Sequence, residues 1–224
     1  MKRIIPTLLL GLVAAASMQA YATPILTTIQ LNTVFTGATP DGSPPWLTAT
    51  FTSSTGSSSG ILTLTSHLSG TDFLQGLNSP KGALGWGFYL NTGIASVTCS
   101  SSPGNNCTTK ALSGGSYNAG SLGKNWNLAF GWPVKNRFVS GNTAVYDITF
   151  ISALMGSPFV VNPDPKAAGA LSVAHVQGIS TGTGSSWIGT GMIPPTNVPE
   201  PAVLGMFGLG TLLIGLFAGL RRRP

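Results

Sequence analysis

The chain has 224 residues, a length that suits one ordinary domain better than two. Only 7% of them are charged, against about 25% in a typical soluble domain, so electrostatic steering of a ligand is excluded as a main theme. The net charge of +6 does not mark a nucleic-acid binder either. Lys2, Arg3, Arg221, Arg222 and Arg223 lie at the extreme ends, and residues 23–197 carry six cations against four anions, with no clustered basic face.

Residues 1–22 begin with Lys2 and Arg3, continue through an apolar run at 8–16, and end in Ala20-Tyr21-Ala22. A positive start, a short apolar stretch and an A-x-A site make a secretory signal peptide. Cleavage after Ala22 would start the mature protein at Thr23; an uncleaved N-terminal anchor is the alternative, and the run is short for a bilayer span.

The next segment, 23–193, reads as an exported β domain. Leu47, Ala49 and Phe51 alternate with threonines, and Leu62 and Leu64 alternate with Thr63 and Thr65. Trp86, Phe88 and Leu90 form a third alternating set, Trp126, Leu128, Phe130 and Trp132 a fourth, and Tyr146, Ile148 and Phe150 a fifth. Period-2 patterning predicts half-buried antiparallel strands, each with its large residues on one face. Turn-formers separate them, among them Asp41-Gly42-Ser43-Pro44-Pro45 and the Ser/Gly run at 53–60. No long amphipathic helix is visible within this segment. The expected fold is all-β, an antiparallel β-sandwich of jelly-roll type, followed by a single C-terminal transmembrane helix.

The two cysteines, Cys99 and Cys107, are the only ones. In an exported protein such a pair favours a disulfide, closing a short loop worth roughly 2–3 kcal/mol by chain entropy. A metal site or a reactive thiol is the alternative, with no histidine near in sequence to support it.

Chemistry is hard to find. His67 follows a strand-like run and His175 lies within one; their separation argues against a zinc site. Gly56-Ser57-Ser58-Ser59-Gly60 matches G-x-S-x-G only formally, because a strand follows it where a nucleophile elbow needs a helix. Asp41, Asp72, Asp147 and Asp164 are the carboxylates of the domain, and no spacing pairs them for acid/base work or forms a calcium loop. The expectation is therefore no catalytic residue, no enzyme, no cofactor and no metal. Trp46, Trp86, Trp126, Trp132 and Trp187 remain. Trp86, Trp126 and Trp132 read as core, which leaves Trp46 and Trp187 as candidate carbohydrate contacts.

The C-terminal end carries the most specific pattern. Residues 194–201 form a linker that contains Val198-Pro199-Glu200-Pro201. Two prolines around one acid keep that tetrapeptide extended. Residues 202–220 hold no charge and as a helix would span roughly 28 Å, close to a hydrocarbon core. Arg221, Arg222 and Arg223, in the tail 221–224, would stop transfer and stay cytoplasmic.

Together the motif, the span and the arginine cluster resemble the PEP-CTERM sorting tail of Gram-negative bacteria; a plain tail anchor is the alternative. The resemblance implies recognition by an exosortase, a membrane cysteine transpeptidase that removes the helix and passes the protein to the cell surface or extracellular polysaccharide. The domain is also similar to a recurrent type of PEP-CTERM protein, at Pro45-Trp46-Leu47-Thr48-Ala49-Thr50-Phe51, at Ala174-His175-Val176-Gln177-Gly178-Ile179 and at Ser186-Trp187-Ile188. That similarity implies a shared exported domain and no known chemistry. The partners expected are an exosortase, the inner membrane transiently and exopolysaccharide, with no nucleic acid. The expected role is structural or adhesive in the matrix or biofilm, with a carbohydrate-binding module as the second reading and a secreted hydrolase as the third.

Overall fold

Alternation of apolar and hydroxyl-bearing residues builds the first sheet. In the computed structural model, which describes residues 22–74, 85–102, 109–110, 117–133, 135–181 and 184–191, five strands lie in the order β1-β3-β4-β11-β7. They are β1 (Pro24–Leu31), β3 (Leu47–Ser54), β4 (Ser59–Ser66), β7 (Ile94–Ser101) and β11 (Thr143–Phe150). All their pairings are antiparallel. Leu47, Ala49, Phe51, Leu62, Leu64, Tyr146 and Ile148 point inward and are fully buried. Threonines take the opposite face and meet across strands: Thr28 faces Thr50, Thr50 faces Thr63, and Thr48 faces Thr65. The branched Cβ of threonine suits a pleated surface, and cross-strand hydroxyl pairs add a few tenths of a kcal/mol each.

The second sheet has eight strands. β2 (Thr33–Gly37) pairs with β13 (Ser185–Gly189), and β13 with β12 (Ser172–Gln177). The other edge of β12 is shared end to end by β6 (Trp86–Phe88) and β5 (Phe73–Leu74). β10 (Phe138–Val139) extends from β5, and β9 (Leu128–Phe130) followed by β8 (Thr109–Lys110) extends from β6. Sheets of five and eight strands differ from the two four-stranded sheets of a jelly roll. The expected antiparallel all-β class holds, and the strand order is its own.

One core joins the inner faces of both sheets. Phe130 of β9 meets Tyr146 of β11 with ring centroids 4.4 Å apart, and Phe159 sits edge-on to Phe51 at 5.3 Å and to Phe88 at 5.5 Å. Burial of this aromatic and aliphatic surface, at about 25 cal/mol per Å², is the main force holding the sheets together. Inside it, Trp86 Nε1 donates to Ser172 Oγ at 2.8 Å and Ser172 Oγ donates to the Gly87 carbonyl at 2.9 Å.

A second, smaller core covers part of the outer face of the eight-stranded sheet. Val173 and Ala129 project into it from the sheet, and Tyr117, Leu122, Trp126 and Ala167 close over them. Two short 3-10 turns, Gly120–Leu122 and Pro165–Ala167, carry this cover. Here the sequence expectation is corrected: Trp126 does not share a face with Leu128, Phe130 and Trp132. It precedes β9, next to Asn125 in left-handed backbone (φ +74). The Asn127 side chain then ties the chain to Leu90, accepting from its amide and donating to its carbonyl at 2.8 Å each. The backbone therefore turns before the strand starts, and the alternation does not extend back to Trp126.

The chain divides into two units, Met1–Gly191 and Met192–Pro224, and the second lies outside the described residues. No helix among the described residues is long and apolar enough to cross a membrane. The expected span at 202–220 and the signal sequence, except Ala22, lie outside the described residues.

Candidate functional site

Three places in the domain gather polar or aromatic side chains. The first is the outer face of the five-stranded sheet. A groove of about 480 Å³ runs over it, lined by Thr52, Ser57, Ser59, Ile61, Asp147 and Thr149. Ile61 is 46% exposed, and Asp147, solvent-facing as the alternation predicts, accepts from the Ser100 hydroxyl. Ser57 and Ser58 belong to the turn that joins β3 to β4, and Ser59 opens β4. Ser57 Oγ lies 3.0 Å from the Ser59 carbonyl, to which it donates, and 3.3 Å from Ser59 Oγ. That is a hairpin turn braced by its own hydroxyls, and no strained elbow exposes a nucleophile. His67, the nearer histidine in sequence, is exposed and bonds Thr48 Oγ1 through Nε2 at 3.1 Å.

The second place is the outer face of the eight-stranded sheet at β12 and β13. His175 and Trp187 are register partners, and their rings stack at 4.7 Å with planes 22° apart. Gln177 Nε2 lies 3.2 Å from His175 Nδ1. Burial lowers the pKa of His175 below its usual 6.5, so the imidazole stacks in its neutral form. Trp187 is half-buried. Trp46, the other tryptophan expected to contact sugar, is only 4% exposed and belongs to the main core. Its expected role is corrected: Trp46 directly precedes β3 and bonds through its backbone to Leu31 and His67, which turns the ring inward. Trp86 and Trp132 are core residues, as their alternation predicts.

The third place is where the connections β2–β3, β4–β5 and β12–β13 meet. Asp41 donates its amide to Asp72 Oδ2 at 2.7 Å, although 31 residues separate them. Burial raises the pKa of Asp72; the Asp41 amide opposes that shift and the Asp41 charge adds to it. Asp164, in contrast, has its pKa lowered by amides from Lys124 and Lys166, which bond it at 2.8 and 2.9 Å. It caps the 3-10 turn Pro165–Ala167. Sequence spacing offered no signal for the Asp41–Asp72 pair, because only the folded loops bring them together.

Of the sorting residues, Val198, Pro199, Glu200, Pro201, Arg221, Arg222 and Arg223 lie outside the described residues, as do Ala20 and Cys107. Ala22 is exposed two residues before β1, and Cys99 lies on β7. The family model for the PEP-CTERM protein-sorting motif matches residues 197–223. The chain is a PEP-CTERM domain-containing protein. The motif supports exosortase-dependent sorting of an exported protein toward the surface or the outside of the cell. No curated protein and no solved structure matches the chain.

Proposed function

We propose that this PEP-CTERM protein is a structural or adhesive component of the cell surface or exopolysaccharide matrix. The observation that carries the reading is the sorting motif at 197–223 on a chain whose described part is an antiparallel β domain. In this reading a signal peptidase cuts after Ala22. The helix 202–220 then holds the chain in the inner membrane, with Arg221, Arg222 and Arg223 on the cytoplasmic side. An exosortase recognises Val198-Pro199-Glu200-Pro201 and releases the domain. The outer face of the five-stranded sheet, laid with threonines and nearly free of charge, suits contact with neutral, hydroxyl-rich polymers through hydrogen bonds. Cys99 and Cys107 form a disulfide after export, as an oxidising compartment favours for a lone pair. The domain carries no catalytic role in this reading.

Intact mass of the protein recovered from the cell surface tests the processing, since it reports both cleavages and the disulfide at once. Loss of the gene is expected to alter surface or biofilm properties, and unchanged properties would count against the structural role.

A second reading is sugar binding at Trp187. The partial exposure of Trp187 beside His175 and Gln177 favours it, since the indole offers apolar contact area beside polar groups that can bond hydroxyls. Trp187→Ala should abolish retention on the organism's own polysaccharide, and equal retention of the variant would remove this reading.

A further inference from the structure

Asp41, Asp72 and Ser180 come from three different connections. The Ser180 hydroxyl lies 3.2 and 3.1 Å from the two carboxylate oxygens of Asp41. Thr71 fastens the same corner by donating to the Gly178 carbonyl at 2.5 Å. Gly70 clears the space beside Asp41: its φ is +61, and a Cβ there would stand 2.7 Å from Asp41 Oδ2.

Asp72 is 1% exposed. Its carboxylate is turned to the Asp41 loop, because Oδ2 accepts from the Asp41 amide. Oδ1 has no hydrogen-bond partner among the described residues. Among the described residues, the charge that acts on it belongs to Asp41 and has the same sign. A buried carboxylate oxygen without a donor is expensive, and a second carboxylate beside it adds to the cost. Asp164 shows the contrasting arrangement, with two backbone amides on its oxygens.

We propose that Asp41, Asp72 and Ser180 form a binding site for a divalent cation, with calcium the ion that fits. A cation between the two carboxylates supplies the missing partner of Asp72 Oδ1 and cancels the repulsion. The donors are hard oxygens, which select calcium or magnesium over zinc or copper. Three separate loop segments give an irregular cage, which calcium tolerates and magnesium does not. No third Asp, Glu, His or Cys joins the pair among the described residues, so hydroxyl, carbonyl and water oxygens complete the shell. Such a site is weak, with Kd on the order of 10⁻⁴–10⁻³ M, the range of extracellular modules. Gly70, Thr71 and Ser180 are exposed and Asp41 is half-buried, which gives the ion a way in. Because β3 and β4 belong to one sheet and β2, β5, β12 and β13 to the other, the ion ties the two sheets together. The site is independent of how the chain is sorted.

The test is calorimetric titration of the exported protein with calcium chloride, with thermal melting in calcium and in EGTA alongside. One saturable site is expected, with Tm higher by about 3–5 °C at calcium ten times Kd and a much smaller response to magnesium. Asp41→Asn and Asp72→Asn should each weaken binding at least about tenfold. In EGTA, Asp72→Asn should melt no lower than the parent, because it removes an uncompensated buried carboxylate. Should Asp72→Asn fail to fold, Asp41→Asn, at a half-buried position, decides the matter. Identical melting of the parent in calcium and EGTA, or binding that survives both substitutions, overturns the proposal.

Discussion

His175 and Trp187 stack ring on ring at 4.7 Å, one from β12 and one from β13, on the outer face of the eight-stranded sheet. Burial holds the imidazole neutral by lowering its pKa from 6.5. A depressed histidine pKa contributes stability that is present above about pH 6.5 and lost as pH falls through the lowered folded value. Protonation also places a charge against the indole and quenches its fluorescence. Acid titration of the parent should therefore show a fluorescence step centred below pH 6.5, absent in both Trp187→Phe and His175→Gln. A step that persists in His175→Gln would assign it to another group.

How far the sequence spoke for the fold depended on where each segment sits. β3, β4 and β11 are central strands of a sheet with one buried and one wet face, so their period-2 pattern is complete and readable. β9 and β6 are covered on both faces near their ends, with Ala129 and Gly87 buried as well, and alternation there says less. Trp126 misleads because a local turn at Asn125, not the strand, sets its direction. Trp46 misleads because turn context before a strand does not reveal which way a ring points. The Asp41–Asp72 pair is long-range, and no local pattern encodes it. The sorting tail was legible because it is a linear signal that an enzyme reads as sequence.

Ser172 is fully buried and serves two groups, accepting from Trp86 Nε1 and donating to the Gly87 carbonyl. Replacing it with alanine leaves a buried indole N–H and a buried carbonyl without this partner. The cost of one such unsatisfied group is about 1–3 kcal/mol. Ser172→Ala should lower the unfolding free energy by about that amount, seen as a lower denaturant midpoint with an unchanged slope, because the fold and its buried area stay the same. No change in midpoint would mean that the relay contributes nothing net.

Asp164 organises the cover over the second core. It caps the turn Pro165–Ala167 and holds Lys124 N, while Asn162 Nδ2 donates to the Lys124 carbonyl at 3.0 Å. These amide bonds lower its pKa below 3.8, so its contribution is present above that value and lost as pH falls through the lowered one. Asp164→Ala should lower Tm at neutral pH, with a smaller difference from the parent in strong acid. It should also red-shift the emission of Trp126, which lies under this cover. An unchanged spectrum and Tm would show that Asn162 alone holds the two segments.

Glu200 is the sole acid in the sorting segment, set between Pro199 and Pro201. The prolines fix an extended backbone whatever lies between them, so the carboxylate is the part of the motif that carries chemical information. Glu200→Gln keeps the shape and removes the charge. If an exosortase reads that charge, the variant should accumulate in the membrane fraction at the mass of the chain with its tail, while the parent is found outside with the tail removed. Deletion of residues 202–223 should also prevent surface delivery, for a different reason: no apolar segment is left to present the motif at the membrane. The two variants separate recognition from anchoring, since the first stays membrane-bound and the second is released into the soluble exported fraction. Processing of Glu200→Gln at the parental rate would rule out charge recognition at this site.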